Sequence, residues 1–212
     1  MKKVLFAMVL TLVLAGIASA QGPKINFYAG GGMALPMGPD DFKDYWKSGI
    51  SFGGGVGFQQ SANMELKAML FYNKFDVDED GMIEEIEEAY GIDASGLEID
   101  GGEMTAIEIM GVFKYSLGLP EAPARPYLLG SVGITAMKVA EATISYGSEY
   151  GSETTPETTE SKLSFGVGGG VDIKIGATTA LFAEAQYMYV STEGDAITYL
   201  PIRGGIKFTF GQ

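Results

Sequence analysis

The last stretch of the chain, Tyr199 to Phe210, reads YLPIRGGIKFTF, and every second residue from Leu200 (Leu200, Ile202, Gly204, Ile206, Phe208, Phe210) is apolar or glycine. The positions between them include Arg203, Lys207 and Thr209. A period of two marks a strand with two unlike faces. Seven further segments repeat it: Lys24 to Ala34, Ser48 to Gln60, Asn63 to Phe75, Glu103 to Tyr115, Tyr127 to Val139, Leu163 to Ile175 and Thr178 to Val190. Each is near or above the ~9 to 11 residues that cross a bilayer at a tilt. The expected fold class is all-β, an eight-stranded antiparallel up-and-down transmembrane β-barrel with apolar side chains toward lipid and charges inside.

The sixth segment is the cleanest, with Leu163, Phe165, Val167, Val171 and Ile173 set against Ser164, Asp172 and Lys174. Tyr127 to Val139 has a weaker phase, because Leu128, Val132 and Ile134 fit one face and Tyr127 and Leu129 the other, which predicts a bulge. Pro201 lacks a ladder donor and is expected at a strand start or bulge. Connections alternate short (Ser61-Ala62, Leu117 to Pro126, Gly176-Ala177) and long (Leu35 to Lys47, Asp76 to Gly102, Ala140 to Lys162), with Ser191 to Ala196 a tight fourth on the long side. Short turns belong to the periplasm and long loops to the exterior. Phe27, Phe58, Phe113, Tyr115, Tyr127, Phe208 and Phe210 then form a girdle at the short-turn end, and Tyr72, Tyr187 and Tyr189 one at the other.

Residues 1 to 20 carry two lysines, an apolar run too short for a stop-transfer helix and Ala18-Ser19-Ala20, the pattern of a cleaved secretory signal. The barrel domain is therefore expected over residues 21 to 212. Removing Lys2 and Lys3 leaves 12 of the 14 bases against 27 acids, a mature net charge of −15. Such an acid excess disfavours nucleic acid as partner. The sequence has no Cys and no His, which removes thiol chemistry and the commonest general base.

Nine ionisable groups fall on inward faces: Glu65, Lys67, Glu108, Lys114, Asp172, Lys174, Glu184, Arg203 and Lys207. In a barrel of eight strands, filled by its own side chains, they are expected to pair as a salt-bridge plug; a proton or ion path is the alternative. The glycine runs (Gly30 to Gly32, Gly53 to Gly55, Gly168 to Gly170) lie within strands, with no helix N-terminus to make a phosphate site, and are expected to give room to lumenal side chains such as Tyr28, Phe182 and Arg203.

The sharpest motif is DVDEDGMIEEIE, Asp76 to Glu87, in the second long connection. It matches a twelve-residue EF-hand loop, with Asp76, Asp78 and Asp80 at positions 1, 3 and 5, Gly81 at 6, the Met82 carbonyl at 7, Glu84 at 9 and Glu87 as a bidentate ligand at 12. The reading is calcium (Ca2+) at Asp76, Asp78, Asp80, Met82, Glu84 and Glu87. Against it, no helix enters the loop, and Asp76 to Gly102 holds 11 acids and no base, so a merely solvated acidic loop stays open. The third long connection contains YGSE twice and then TTPETTES, an exposed, mobile composition.

With the signal, the alternating strands, RPYLLGSVGI at Arg125 to Ile134 and the terminal IRGGIKFTF, the chain resembles small outer-membrane β-barrel proteins of the OmpA-transmembrane and OmpX/Ail-like superfamily. Such proteins usually end on an aromatic read by the barrel-assembly machinery; here Gly211 and Gln212 follow Phe210. The resemblance implies outer-membrane lipid and that machinery as partners. The lipid-modifying and proteolytic barrels of this architecture rely on a catalytic His that is absent. The expected function is a non-catalytic structural or surface-recognition barrel displaying acidic loops to an extracellular partner; an OmpW-like narrow conduit for small apolar molecules is the second reading and a soluble lipocalin-like barrel the third.

Overall fold

The computed structural model describes residues 24–91, 94, 96–145 and 152–211. In chain order these form β1 (Ile25–Gly38), α1 (Asp40–Tyr45), β2 (Gly49–Gln59), β3 (Met64–Phe75), α2 (Glu79–Tyr90), β4 (Glu98–Gly101), β5 (Met104–Ser116), β6 (Ala124–Val139), β7 (Ala142–Ser145), β8 (Ser152–Thr155), β9 (Thr158–Lys174), β10 (Thr179–Val190) and β11 (Ile197–Phe210). The eight long strands close into an antiparallel barrel in the order β1-β11-β10-β9-β6-β5-β3-β2. The seam joins the first strand to the last, from Ile25 against Phe210 to Gly38 against Thr198. The expected signal segment lies outside the described residues.

Period-two patterning becomes two surfaces. Ile109 (64% exposed), Val167 (66%), Leu128, Phe52 and Ile202 point outward, while Asn26, Glu65, Asn73, Glu108, Lys114 and Arg203 are buried inside. An outside so apolar around an inside so polar inverts the soluble arrangement, and it satisfies a barrel whose outer solvent is lipid. The aromatic ends are as expected in Phe27, which meets the ring of Phe210 edge-on at 5.5 Å.

Several expectations are corrected. β6 carries no bulge, since its register runs unbroken against both β5 and β9. Tyr127 and Leu129 share the inward parity and are buried there, so Tyr127 leaves the girdle; the lumen needs bulk, and outward Gly130 is what blurs the phase. Pro201 is neither a strand start nor a bulge. It sits inside β11 opposite Ala34, and on the β10 side pairing lapses at Gln186 and Tyr187 and resumes in the same register at Met188 against Tyr199. The missing donor is absorbed by two unpaired positions. Lys174 ends β9 at the rim, exposed, its Nζ donating to the Pro120 carbonyl at 2.6 Å. The third long connection carries strands of its own: β6 and β9 pair as far as Val139 against Thr158, and beyond them β7 pairs β8 and, from the second connection, β4. Of the YGSE repeats, only Ser152 and Glu153 fall among the described residues.

Candidate functional site

The described lumen is built in layers along the strands. At the short-turn end Lys114 Nζ lies 2.7 Å from Asp172 Oδ2 and 4.0 Å from Glu65 Oε2. Lys207 pairs with the same Asp172 oxygen, and Lys67 stands 3.6 Å from Glu184. Three acids face three bases. Neutral donors complete the shells: Asn26 Nδ2 donates to Glu65 at 2.7 Å, Tyr28 OH to both its oxygens at 2.8 Å, and Tyr127 OH to Glu184 at 2.9 Å. Lys114 also sits 3.9 Å over the Tyr127 ring. Buried charge is tolerable when paired and hydrogen-bonded in this way.

One glycine makes that packing possible. A Cβ at Gly57 would overlap Glu65 Oε1 and come within 3.1 Å of the Tyr28 ring. Because Glu65 is held by Asn26 Nδ2 and Tyr28 OH and faces Lys114, it cannot step aside. Gly57→Ala is expected to destabilise the barrel by about 1 to 3 kcal/mol, the cost of overpacking, read from the urea midpoint of the lipid-embedded protein.

Toward the long-loop end the next inward residues on three strands are apolar: Met69 and Phe71 on β3, Val112 and Met110 on β5 and Leu129 on β6, while Phe182 of β10 lies on the short-turn side of Glu184 and meets the Tyr28 ring edge-on at 5.8 Å. Phe182 fills the space left by Gly30 and Gly205, where a Cβ would lie 2.8 and 2.7 Å from its ring. Gln186 and Ser131, hydrogen-bonded to each other, are neutral. Above them comes a second ionic group. Arg203 lies 3.7 Å over the Phe71 ring, donates from Nε to Ser51 Oγ at 2.7 Å and from Nη2 to Asn73 Oδ1 at 3.2 Å, and stands 3.5 Å from Glu108. Tyr199 OH donates to Glu108 at 2.8 Å. Apolar side chains thus lie between the two ionic groups on β3, β5 and β6, whereas across the lumen Arg203 stands in register with Glu184 on the neighbouring strand.

The mouth above is capped. Phe42 of α1 is 2% exposed and meets Phe75 edge-on at 5.2 Å, which in turn meets Tyr199 at 5.8 Å. Trp46 anchors the cap through its Nε1, which donates to the Gly102 carbonyl at 3.2 Å. Backbone bonds from Lys47 N to Asp76 O (2.9 Å) and Asp78 N to Tyr45 O (2.8 Å) tie it to the second connection.

The EF-hand match takes a different form. Asp78 caps α2, accepting from Gly81 N at 3.2 Å, and acidic Glu79 and Asp80 in the first turn suit the helix dipole. Gly91 ends the helix at φ 62°, its N–H bonded to Glu87 O. Gly81, Met82, Glu84 and Glu87 are therefore helical, and Gly81 does not make the turn a calcium loop needs at its sixth position. Asp80, Glu84 and Glu87 share a helix face by spacing, whereas Asp76 pairs with Lys74 at 3.3 Å and Asp78 with Lys47 at 3.4 Å. Among the described residues no three such groups are placed to hold a metal ion.

Of the nine inward ionisables, eight line the lumen. Sequence reading places Asn26, Ser51 and Asn73 on inward faces by strand parity but does not name them, or Tyr199, as partners of these charges. It missed Phe42 and Trp46 altogether, because a six-residue helix in a connection leaves no periodic trace.

Strands that alternate apolar outside and ionic inside, closed on themselves with no free edge, define a transmembrane β-barrel of the outer-membrane kind. The family described as "Outer membrane protein beta-barrel domain" matches residues 5–210, and the chain belongs to it. Its place is the bacterial outer membrane. Among solved structures it is similar to Neisserial surface protein A (NspA), at 13% identity and a TM-score of 0.56, covering 89% of this chain and 97% of that one. It is similar also to a major outer membrane protein from Thermus thermophilus, at 11% identity and a TM-score of 0.51, covering 90% and 100%. At such identities the likeness is one of fold. No curated protein sequence matches the chain.

Proposed function

We infer that the protein is a non-catalytic, non-conducting barrel whose role lies in what it displays outside the cell. The observation that carries this reading is the filled lumen: two sets of paired charges, apolar side chains packed among them, and the Phe42 cap above. A through-path for ions would break both sets of ion pairs and displace the apolar side chains packed among them. An OmpW-like passage for apolar molecules would cross both ionic layers, so the same layers weigh against it. The test is conductance. Purified protein in planar bilayers is expected to hold a closed baseline, and steady single-channel steps would sink the reading.

Charge sidedness supports display. Among the described acids, only Glu65, Glu108, Asp172 and Glu184 are lumenal and only Glu121 lies on the short-turn side. The rest crowd the external end, where Lys43, Lys47, Lys74, Lys138 and Lys162 are the bases. A partner recognised by that end presents positive charge, and its association weakens as salt rises. Calcium joins this reading only through rearrangement, because gathering Asp76, Asp80, Glu84 and Glu87 around one ion unwinds the first turns of α2. A calcium-dependent loss of helical circular dichroism, with saturable heat in calorimetry, would support it; an unchanged helix with flat calorimetry would remove it.

A further inference from the structure

Glu108 is wholly buried, yet its two oxygens are treated unequally. Oε1 accepts from Asn73 Nδ2 and Tyr199 OH and faces Arg203 Nη2 at 3.5 Å. Oε2 is buried with no hydrogen-bond partner. Arg203, 3% exposed, mirrors it: Nε and Nη2 are bonded, and Nη1 is buried and unpartnered. A guanidinium and a carboxylate meeting fork to fork would satisfy both atoms. This pair shares one arm only. A buried charged group keeps its place when every arm is satisfied, so the arrangement calls for a third participant.

The geometry points to an enclosed hydration site: we propose that a bound water accepts from Arg203 Nη1, donates to Glu108 Oε2, and is retained by α1 acting as its lid. The chemistry selects water over an ion. A cation would face the guanidinium and an anion the carboxylate, whereas water both donates and accepts. Aromatic rings flank the pair: the Phe71 ring lies 3.7 Å from the guanidinium, and Tyr199, which donates to Glu108, begins a chain of rings through Phe75 to Phe42 of α1. Water exchanges when α1 lifts, so residence time reports lid opening. This last step rests on the sealed barrel inferred above, but its failure is separable: a barrel can stay closed to current with no water at this position.

A high-resolution crystal structure of the detergent-purified full chain is expected to show density within hydrogen-bond distance of both Nη1 and Oε2. A direct bond between those two atoms, or no density between them, overturns the site. Deuterium and oxygen-17 relaxation dispersion on the same preparation is expected to detect a long-lived water. In Phe42→Ala its residence time falls by about tenfold or more as local opening becomes easier. Trp46→Phe, which loses only the indole bond to Gly102, moves it in the same direction, with heat-modifiable gel migration confirming the fold of each. A wild type with no long-lived water overturns the site, and variants with the wild-type residence time overturn the lid.

Discussion

Replacing Lys114 with Met is expected to cost the barrel about 3 to 5 kcal/mol, the range for breaking a buried ion pair by deleting one partner. Lys114 is the centre of the lower ionic layer, 2.7 Å from Asp172 and 4.0 Å from Glu65, with the Tyr127 ring 3.9 Å from its Nζ. Met conserves much of the length but none of the charge. Three buried acids would then face Lys67 and Lys207 alone. Urea unfolding in lipid vesicles measures the loss, and heat-modifiable gel migration reports whether the barrel still closes. A midpoint equal to wild type would mean that the layer is solvated and that its pairs contribute little.

The second large effect belongs to the outside. Ile109, 64% exposed near the middle of β5, lies on the same outward face as Leu70 and Ile134, its pairing neighbours. Ile109→Arg is expected to destabilise the folded barrel by about 2 to 4 kcal/mol, whereas Thr105→Arg, on the same face at the external end, should cost about 0 to 1 kcal/mol. The contrast between the two positions is the readout: Ile109 lies among Leu70 and Ile134 in hydrocarbon, whereas Thr105 pairs with Lys74 and Lys138 at the rim, where water screens the added like charge. Equal effects would argue that the outer face meets water rather than lipid.

How much of the barrel is legible in the sequence depends on periodicity. Eight strands, their facing and the lumenal charges follow from a two-residue repeat that inverts the soluble pattern, and Leu163 to Ile175 shows it without ambiguity. Where the repeat blurs, residue type misleads. Tyr127 suits a girdle because aromatics favour that position, but parity places it among Lys114 and Glu184. Pro201 argues for a break in its strand, because the two tolerated unpaired positions on β10 are a property of the partner. The acidic stretch from Asp76 to Glu87 matches a calcium loop by residue type at fixed spacing, a signal that helix propensity, an Asp78 cap and the Gly91 stop satisfy equally well. The Phe42 cap lies in DDFKDYWK, where Phe42, Tyr45 and Trp46 stand among charged residues without a strand period.

On the proposed display role, the small sheet β4-β7-β8 limits what can read the cell surface. It splices a strand from one external connection to a hairpin from another, Ile99 opposite Ile144, although β5 and β6 lie between them in the chain. A binder that grips this sheet grips a composite epitope, which a synthetic peptide copied from either loop would fail to reproduce. Insertions there are constrained as well: one added residue in β4 turns its alternate side chains over, so the two connections are tied to diverge in step.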